Sequence, residues 1–116
     1  MKSYTDINQS KKLAEILPLE SADMCINSTN PYMITHELRP YGGFDNEHDP
    51  CWSLAALLDV LKDNIKIEKT QLDQSDIFTY SIVGDGYNYR TYEHEELIDA
   101  CVEMIVKLHE SNKLVS

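Results

Sequence analysis

The sequence predicts one α+β domain, in which two long helices and an N-terminal helix pack on an antiparallel sheet of three or four strands. Two observations predict this class. A β-hairpin pattern lies between two stretches with apolar residues at helical spacing. The chain of 116 residues is also long enough for one core but not for two. We therefore expect residues 1–116 to form a single domain.

The first helix is predicted in "TDINQSKKLAEILP". Thr5 or Asp6 is suited to cap its N-terminus, and Pro18 marks its end. A short turn in "LESADMC" follows, and then a loop-like stretch that contains "YMITHEL". This segment is predicted to be a short strand with alternate residues on one side, namely Tyr32, Ile34, His36 and Leu38.

The second helix is predicted in "HDPCWSLAALLDVLKDN". Asp49 is a good N-cap, because its carboxylate accepts the free N–H groups of a first turn, and Pro50 fits the first helical position. This assignment places Cys51 in the first turn of the helix. A broad apolar face then runs from Trp52 to Leu61, so the tryptophan is expected in the core.

The rest of the chain is predicted to form a strand, a hairpin and a helix. "IKIEKTQL" has the pattern of a strand, and "DIFTYSIVGDGYNYRTYE" that of a hairpin with a tight turn at Asp85-Gly86. The last helix is expected in "EHEELIDACVEMIVKLHESNK", with Cys101 on its apolar face and His94 at its start. Tyrosines gather around the hairpin, and any that are exposed favour a protein-binding patch: Tyr80, Tyr87, Tyr89 and Tyr92.

The chain is strongly acidic, with 20 acidic and 10 basic residues and a formal net charge of −10. This charge repels phosphates, so direct binding to nucleic acid is not expected, and a protein partner with a basic face is favoured. No apolar run is long enough to span a membrane, and the N-terminus lacks the pattern of a signal peptide. We therefore expect a cytoplasmic protein in which all three cysteines are free thiols.

Cys51 is the strongest candidate for a catalytic group. A thiol in the first turn of a helix is stabilised as thiolate, and the Cys-Trp pair resembles the nucleophile of papain-like thiol peptidases. His94 or His109 would then be the base. However, the Gly-Ser pair of those enzymes is missing before Cys51, and three carboxylates that disfavour thiolate precede it: Asp45, Glu47 and Asp49. The sequence therefore favours a core cysteine over a catalytic one.

The segment "HELRPYGGFDNEHD" contains the candidate metal ligands His36, Asp45 and His48. Their spacing matches neither a calcium loop nor a zinc pattern. We therefore expect a solvated acidic loop, no metal and no cofactor.

Three segments together resemble a family of small uncharacterised proteins from gut Bacteroidetes and their phages or mobile elements: "QSKKLAEILPLESADM", "DPCWSLAALLDVL" and "ELIDACVEMIVKLHE". The family pattern has Pro-small-Trp-Ser-Leu before a Leu-rich helix, and Cys51 occupies its small position. Lys62 replaces the proline that closes this helix in the family, so the helix is expected to run on into Asp63 and Asn64. The resemblance implies no particular activity.

Three functional hypotheses follow. The leading one is a non-enzymatic accessory or protein-interaction protein of a phage or mobile element, in which a second copy of the chain is a candidate partner. The first alternative is a thiol hydrolase that uses Cys51 with His94 or His109. The second alternative is an acidic nucleic-acid mimic that occupies the basic site of a host protein.

Overall fold

A computed structural model of the chain describes residues 2–27, 35–38, 48–62, 65–84 and 88–111. These residues form three α-helices and two antiparallel sheets of three strands each, which confirms the α+β class. The strands are divided between two sheets, where the sequence predicted one, and the third helix alone is long. None of the helices in these ranges has the length and apolar character that a membrane span requires.

The elements follow one another along the chain in three groups. The first group is α1 (Ile7–Ala14), a 3₁₀ turn (Leu19–Ser21), β1 (Met24–Asn27) and β2 (Thr35–Leu38). The second is β3 (His48–Cys51), α2 (Leu54–Leu61), β4 (Ile65–Gln71) and β5 (Phe78–Gly84). The last is β6 (Tyr89–Arg90) and α3 (Leu97–Glu110). The strand orders are β2-β1-β3 in the first sheet and β4-β5-β6 in the second.

Helix α1 begins with a reciprocal cap. The carboxylate of Asp6 accepts the N–H of Gln9 at 2.8 Å, and the Gln9 side-chain oxygen accepts the N–H of Asp6 at 3.1 Å. Two of the N–H groups that a helix leaves without partners near its start are thereby satisfied. Asp6, one of the two predicted caps, is therefore the N-cap of α1, and the helix ends before Pro18 as expected.

Helix α2 begins at Leu54, so the predictions that Asp49 caps it and that Pro50 is its first residue are wrong. Its N-cap is Ser53, whose hydroxyl accepts the N–H of Ala56 at 3.2 Å. Asp49 and Pro50 belong instead to β3, which pairs with β1 at the edge of the first sheet. An edge strand tolerates a proline, because it is paired on one side only and a nitrogen that faces the other side does not need to donate a hydrogen bond.

Helix α2 ends at Leu61 and does not continue as the resemblance implied. Lys62 has φ 56° and ψ −141°, which is not a helical conformation, and its N–H donates to the carbonyl of Leu58 at 2.8 Å. Asp63 and Asn64 lie outside the described residues.

The second sheet contains the predicted strand and hairpin. Strand β5 pairs antiparallel with β4 on one side and with β6 on the other. The predicted turn at Asp85-Gly86 lies outside the described residues. His94 does not open the last helix, which begins at Leu97; its backbone instead pairs with Tyr80 as an isolated antiparallel bridge. Its N–H and carbonyl are satisfied by β5, so the helix starts after this bridge.

The main core lies between α3, α2 and strand β5, and the predicted burial of Trp52 and Cys101 is confirmed, since both are fully buried. Strand β5 approaches α3 closely at Gly84, because a Cβ at that position would lie 3.2 Å from the sulfur of Met104 and would require this side chain to shift. The largest fully buried apolar side chains of this core are Leu13, Trp52, Leu57, Ile82, Ile98, Met104 and Ile105.

Candidate functional site

The Cys51 thiol lies in a buried cluster of hydroxyl groups at the end of β3. The side chain is fully buried, and its Sγ donates to the carbonyl of Thr5 at 3.3 Å. The Thr5 hydroxyl lies 3.5 Å from Sγ and 2.8 Å from the hydroxyl of Ser10. It also accepts the N–H of Trp52 at 3.1 Å. The thiol therefore joins the N-terminal segment to the first sheet.

The surroundings of Cys51 favour the protonated thiol. Burial raises its pKa, and the negative charge of Asp23 acts in the same direction. The hydroxyls of Thr5 and Ser10 only partly offset this rise. Cys51 lies in strand β3 and not in the first turn of a helix, so the stabilisation of thiolate by a helix N-terminus is absent.

His94 is held in a different part of the molecule. Its Nε2 lies 2.7 Å from a carboxylate oxygen of Glu103 on α3. The same carboxylate accepts the N–H of Tyr92 at 3.0 Å and lies 3.3 Å from the ammonium of Lys107. This cluster fixes the segment before α3 on the helix, so His94 stabilises the junction between the last strand and α3.

His109 is exposed in the last turn of α3. Neither His109 nor His94 is a hydrogen-bond partner of Cys51, whose Sγ pairs with Thr5 within the described part of the chain. The structure therefore does not bring the predicted thiol and imidazole groups together. Cys25 and Cys101 are also buried, and burial raises the pKa of the Cys101 thiol to about 12.

His36 is the one predicted metal ligand whose side chain is described. Its ring stacks on Tyr4 with the ring centres 3.9 Å apart, beside an open pocket of about 430 Å³ that Asp6, Ile7 and Asn8 also line. Burial lowers the pKa of His36, which favours the neutral ring. Asp45 and the side chain of His48 lie outside the described residues. Within the ranges that the structure describes, no three potential ligands come together as a metal site.

Sequence reasoning missed a second surface, the hairpin tip, which we define as residues 72–77 between β4 and β5. Leu72 is 36% exposed and Ile77 is 49% exposed, although both are large apolar residues. Asp73 and Asp76 lie between them and are exposed. The signal is visible in the sequence as "LDQSDI", in which polar turn residues are enclosed by two apolar residues.

The hairpin tip is held by hydrogen bonds in an unusual backbone conformation. Asp73 and Gln74 have φ values of 36° and 60°, in the left-handed region that favours glycine. The N–H of Leu72 donates to the carbonyl of Ile77 at 3.0 Å, and the N–H of Ser75 donates to the carbonyl of Leu72 at 2.8 Å. These hydrogen bonds hold the two strained residues of the turn in place.

Among the predicted tyrosines, Tyr92 is 78% exposed, with the ammonium of Lys107 5.3 Å from its ring centre. Tyr80 and Tyr89 are half-buried, and Tyr87 lies outside the described residues.

Comparison of this chain with protein-family models, with curated proteins and with solved structures finds no match.

Proposed function

We propose that the chain is a non-enzymatic protein-interaction protein, an accessory component of a phage or mobile element that acts in the cytoplasm. The observation that carries the interaction role is the hairpin tip, where Leu72 and Ile77 are exposed beside two carboxylates. The origin in a mobile element follows from the resemblance of the three quoted segments.

The chemistry of the hairpin tip selects a kind of partner. Burial of the two apolar side chains against another protein would stabilise the complex by roughly 25 cal/mol per Å² of buried apolar surface. Asp73 and Asp76 favour a partner whose apolar patch is bordered by lysine and arginine. The fixed backbone of the tip reduces the conformational entropy that binding would cost.

The environment of Cys51 argues against the thiol hydrolase. The thiol is fully buried, and its pKa is raised. A nucleophile must be reachable and ionised, so this environment lacks both requirements. We therefore assign Cys51 a structural role and expect Cys51→Ser to leave partner binding intact.

The nucleic-acid mimic remains the alternative that the net charge of −10 favours. Salt distinguishes it from the apolar contact that we propose. A complex held by many carboxylates weakens steeply as ionic strength rises, whereas one held by Leu72 and Ile77 changes little.

The test compares the wild-type chain with the double variant Leu72→Ser/Ile77→Ser. Each protein is immobilised and exposed to a lysate of the native host, and bound proteins are quantified by mass spectrometry in 0.1 M and 0.5 M salt. We expect a specific partner that binds the wild type at both salt concentrations and is lost with the double variant. The recovered partner is then purified and its affinity for both proteins is measured directly.

The matched control is Leu19→Ser, because Leu19 is 46% exposed but belongs to the 3₁₀ turn and not to the hairpin tip. This control should retain the partner in full. Equal binding by the double variant and the wild type would refute the role of the hairpin tip. Binding that disappears at 0.5 M salt for every protein would favour the mimic instead.

A further inference from the structure

Within the part of the chain that the structure describes, one edge of strand β4 has no neighbouring strand. In the described residues β4 is the outer strand of the order β4-β5-β6 and pairs with β5 alone. Seven residues form this strand, and none is proline or glycine. Ile67, the third residue of the strand, is 40% exposed. Such an edge is a template for pairing with another strand.

The direction of each backbone group on β4 follows from the ladder. The N–H of Leu72 donates to Ile77, and hydrogen-bonded pairs alternate with non-bonded ones in an antiparallel ladder. Lys66, Glu68 and Thr70 therefore bond to β5. The opposite strand agrees, since Ile82, which faces Ile67, accepts the N–H of Thr91 on its other side. Hence Ile67 and Lys69 direct their N–H and carbonyl groups outward.

The charges along β4 select the occupant of this edge. We propose that it is the β4 strand of a second copy, paired antiparallel with the two-fold axis at Ile67. Lys66 then lies opposite Glu68 of the partner subunit at both ends of the contact. These are non-hydrogen-bonded positions, where Cα atoms approach to about 4.5 Å and side chains interact most closely.

Neighbouring registers place like charges together. An axis at Lys66 or Lys69 sets lysine opposite lysine, and an axis at Glu68 sets glutamate opposite glutamate. Like charges directly opposite each other are destabilising. With the axis at Ile67, three residue pairs are hydrogen bonded, which gives about six interstrand hydrogen bonds. The β4-β5-β6 sheets of the two copies then form one sheet of six strands. The exposed Ile67 side chains of the two copies cover each other.

Charge reversal tests this register. Lys66→Glu sets glutamate opposite glutamate, and Glu68→Lys sets lysine opposite lysine. In sedimentation experiments the wild type should dimerise. The dimer dissociation constant of each single variant should be at least about tenfold higher than that of the wild type. An equimolar mixture of the two variants should restore the dimer, since each strand then faces its opposite charge. The double variant Lys66→Glu/Glu68→Lys should also dimerise.

Two controls change the charge by the same amounts at exposed positions, namely Lys11→Glu on α1 and Glu15→Lys at the C-cap of this helix. These variants should dimerise like the wild type. Glu68 also pairs with Arg90 of its own chain, so circular dichroism must show that Glu68→Lys folds. A second measurement needs no variant: a zero-length carbodiimide should join Lys66 to Glu68 between isotopically heavy and light wild-type chains.

Four results would overturn the proposal. One is a wild-type chain that stays monomeric up to millimolar concentration, and another is a dimer that single charge reversals leave unchanged. The third is a mixture of the two variants that fails to associate more tightly than either variant alone. A heavy–light cross-link at other residues would likewise assign the contact to a different surface. None of these results bears on partner capture by the hairpin tip.

Discussion

Thr5 and Trp52 are joined by two hydrogen bonds, one donated by each residue. The N–H of Thr5 donates to the carbonyl of Trp52 at 2.9 Å, and the N–H of Trp52 donates to the hydroxyl of Thr5 at 3.1 Å. Thr5→Val removes that hydroxyl and leaves the buried N–H of Trp52 without its acceptor. We expect a loss of about 1–3 kcal/mol in the free energy of unfolding, measured by urea denaturation.

Thr5→Ser is the matched control, because it keeps the hydroxyl and removes only a methyl group. It should cost less than Thr5→Val. If both substitutions cost the same, the methyl group and not the hydrogen bond would account for the effect.

Cys51 should react slowly with iodoacetamide between pH 5 and pH 9. Its side chain is buried, and burial raises the pKa of the thiol, so the reactive thiolate is scarce in this range. Mass spectrometry of each cysteine-containing peptide would give the rate. We expect labelling in the folded protein to be at least about tenfold slower than in urea, which corresponds to about 1.4 kcal/mol of protection against local opening. Rapid labelling at pH 6 that depends on His94 or His109 would restore the thiol hydrolase.

Lys62 should be replaceable by glycine with a gain in stability. Its φ of 56° and ψ of −141° lie in a region that costs most residues about 1–3 kcal/mol, but glycine little. We expect Lys62→Gly to stabilise by about 1 kcal/mol. Lys62→Pro should destabilise by about 3 kcal/mol, because proline fixes φ near −65° and removes the N–H that donates to Leu58.

Urea denaturation measures both substitutions at Lys62, and Lys12→Gly is the control. Lys12 is exposed within α1, where glycine should cost about 1 kcal/mol. If Lys62→Gly is as costly as Lys12→Gly, Lys62 does not have the left-handed conformation.

Asp99 should contribute to stability at neutral pH and lose that contribution in acid. Burial favours its neutral form, but the ammonium of Lys2 at 2.8 Å and the Gln9 amide at 2.7 Å outweigh this and lower its pKa. A lowered pKa gives stability that is present above the unfolded value of about 3.9 and is lost as the pH falls through the folded value. Asp99→Asn should therefore cost about 0.5–1 kcal/mol at pH 7 and less at pH 3.

The measurement for Asp99 is the difference in unfolding free energy between wild type and variant at each pH. Asp59→Asn, on the exposed side of α2, serves as the control for the loss of one negative charge. A cost of Asp99→Asn that does not change with pH would show that packing, and not the charge, produces it.

Local signals in the sequence identified several elements correctly. Asp6 was recognisable as a cap because the capping box lies within four residues of the chain, and the strands of the second sheet alternate with turn residues. The burial of Trp52 followed from the apolar residues after it. These are features in which neighbouring residues determine the structure.

Elements that depend on distant partners were not predictable in the same way. Asp49-Pro50 has the pattern of a helix start, but Ser53 offers an equally good cap, and pairing of Asp49 with Ile26 decides in favour of a strand. Strand β1 was missed because its four residues, "MCIN", lack a strand pattern of their own. The environment of Cys51 was not predictable either, because its contact Thr5 is separated from it by 46 residues of the sequence.

The contact between Lys2 and Asp99 spans 97 residues of the chain, and it delays the completion of the fold during translation. At about 5–20 residues per second, a ribosome adds Asp99 on the order of ten seconds after Lys2. Throughout that interval the N-terminal segment lacks its final partner, and Trp52 is synthesised well before α3 can cover it. Nascent chains of this protein should therefore be bound by chaperones that recognise exposed apolar side chains, and released only after α3 leaves the ribosome.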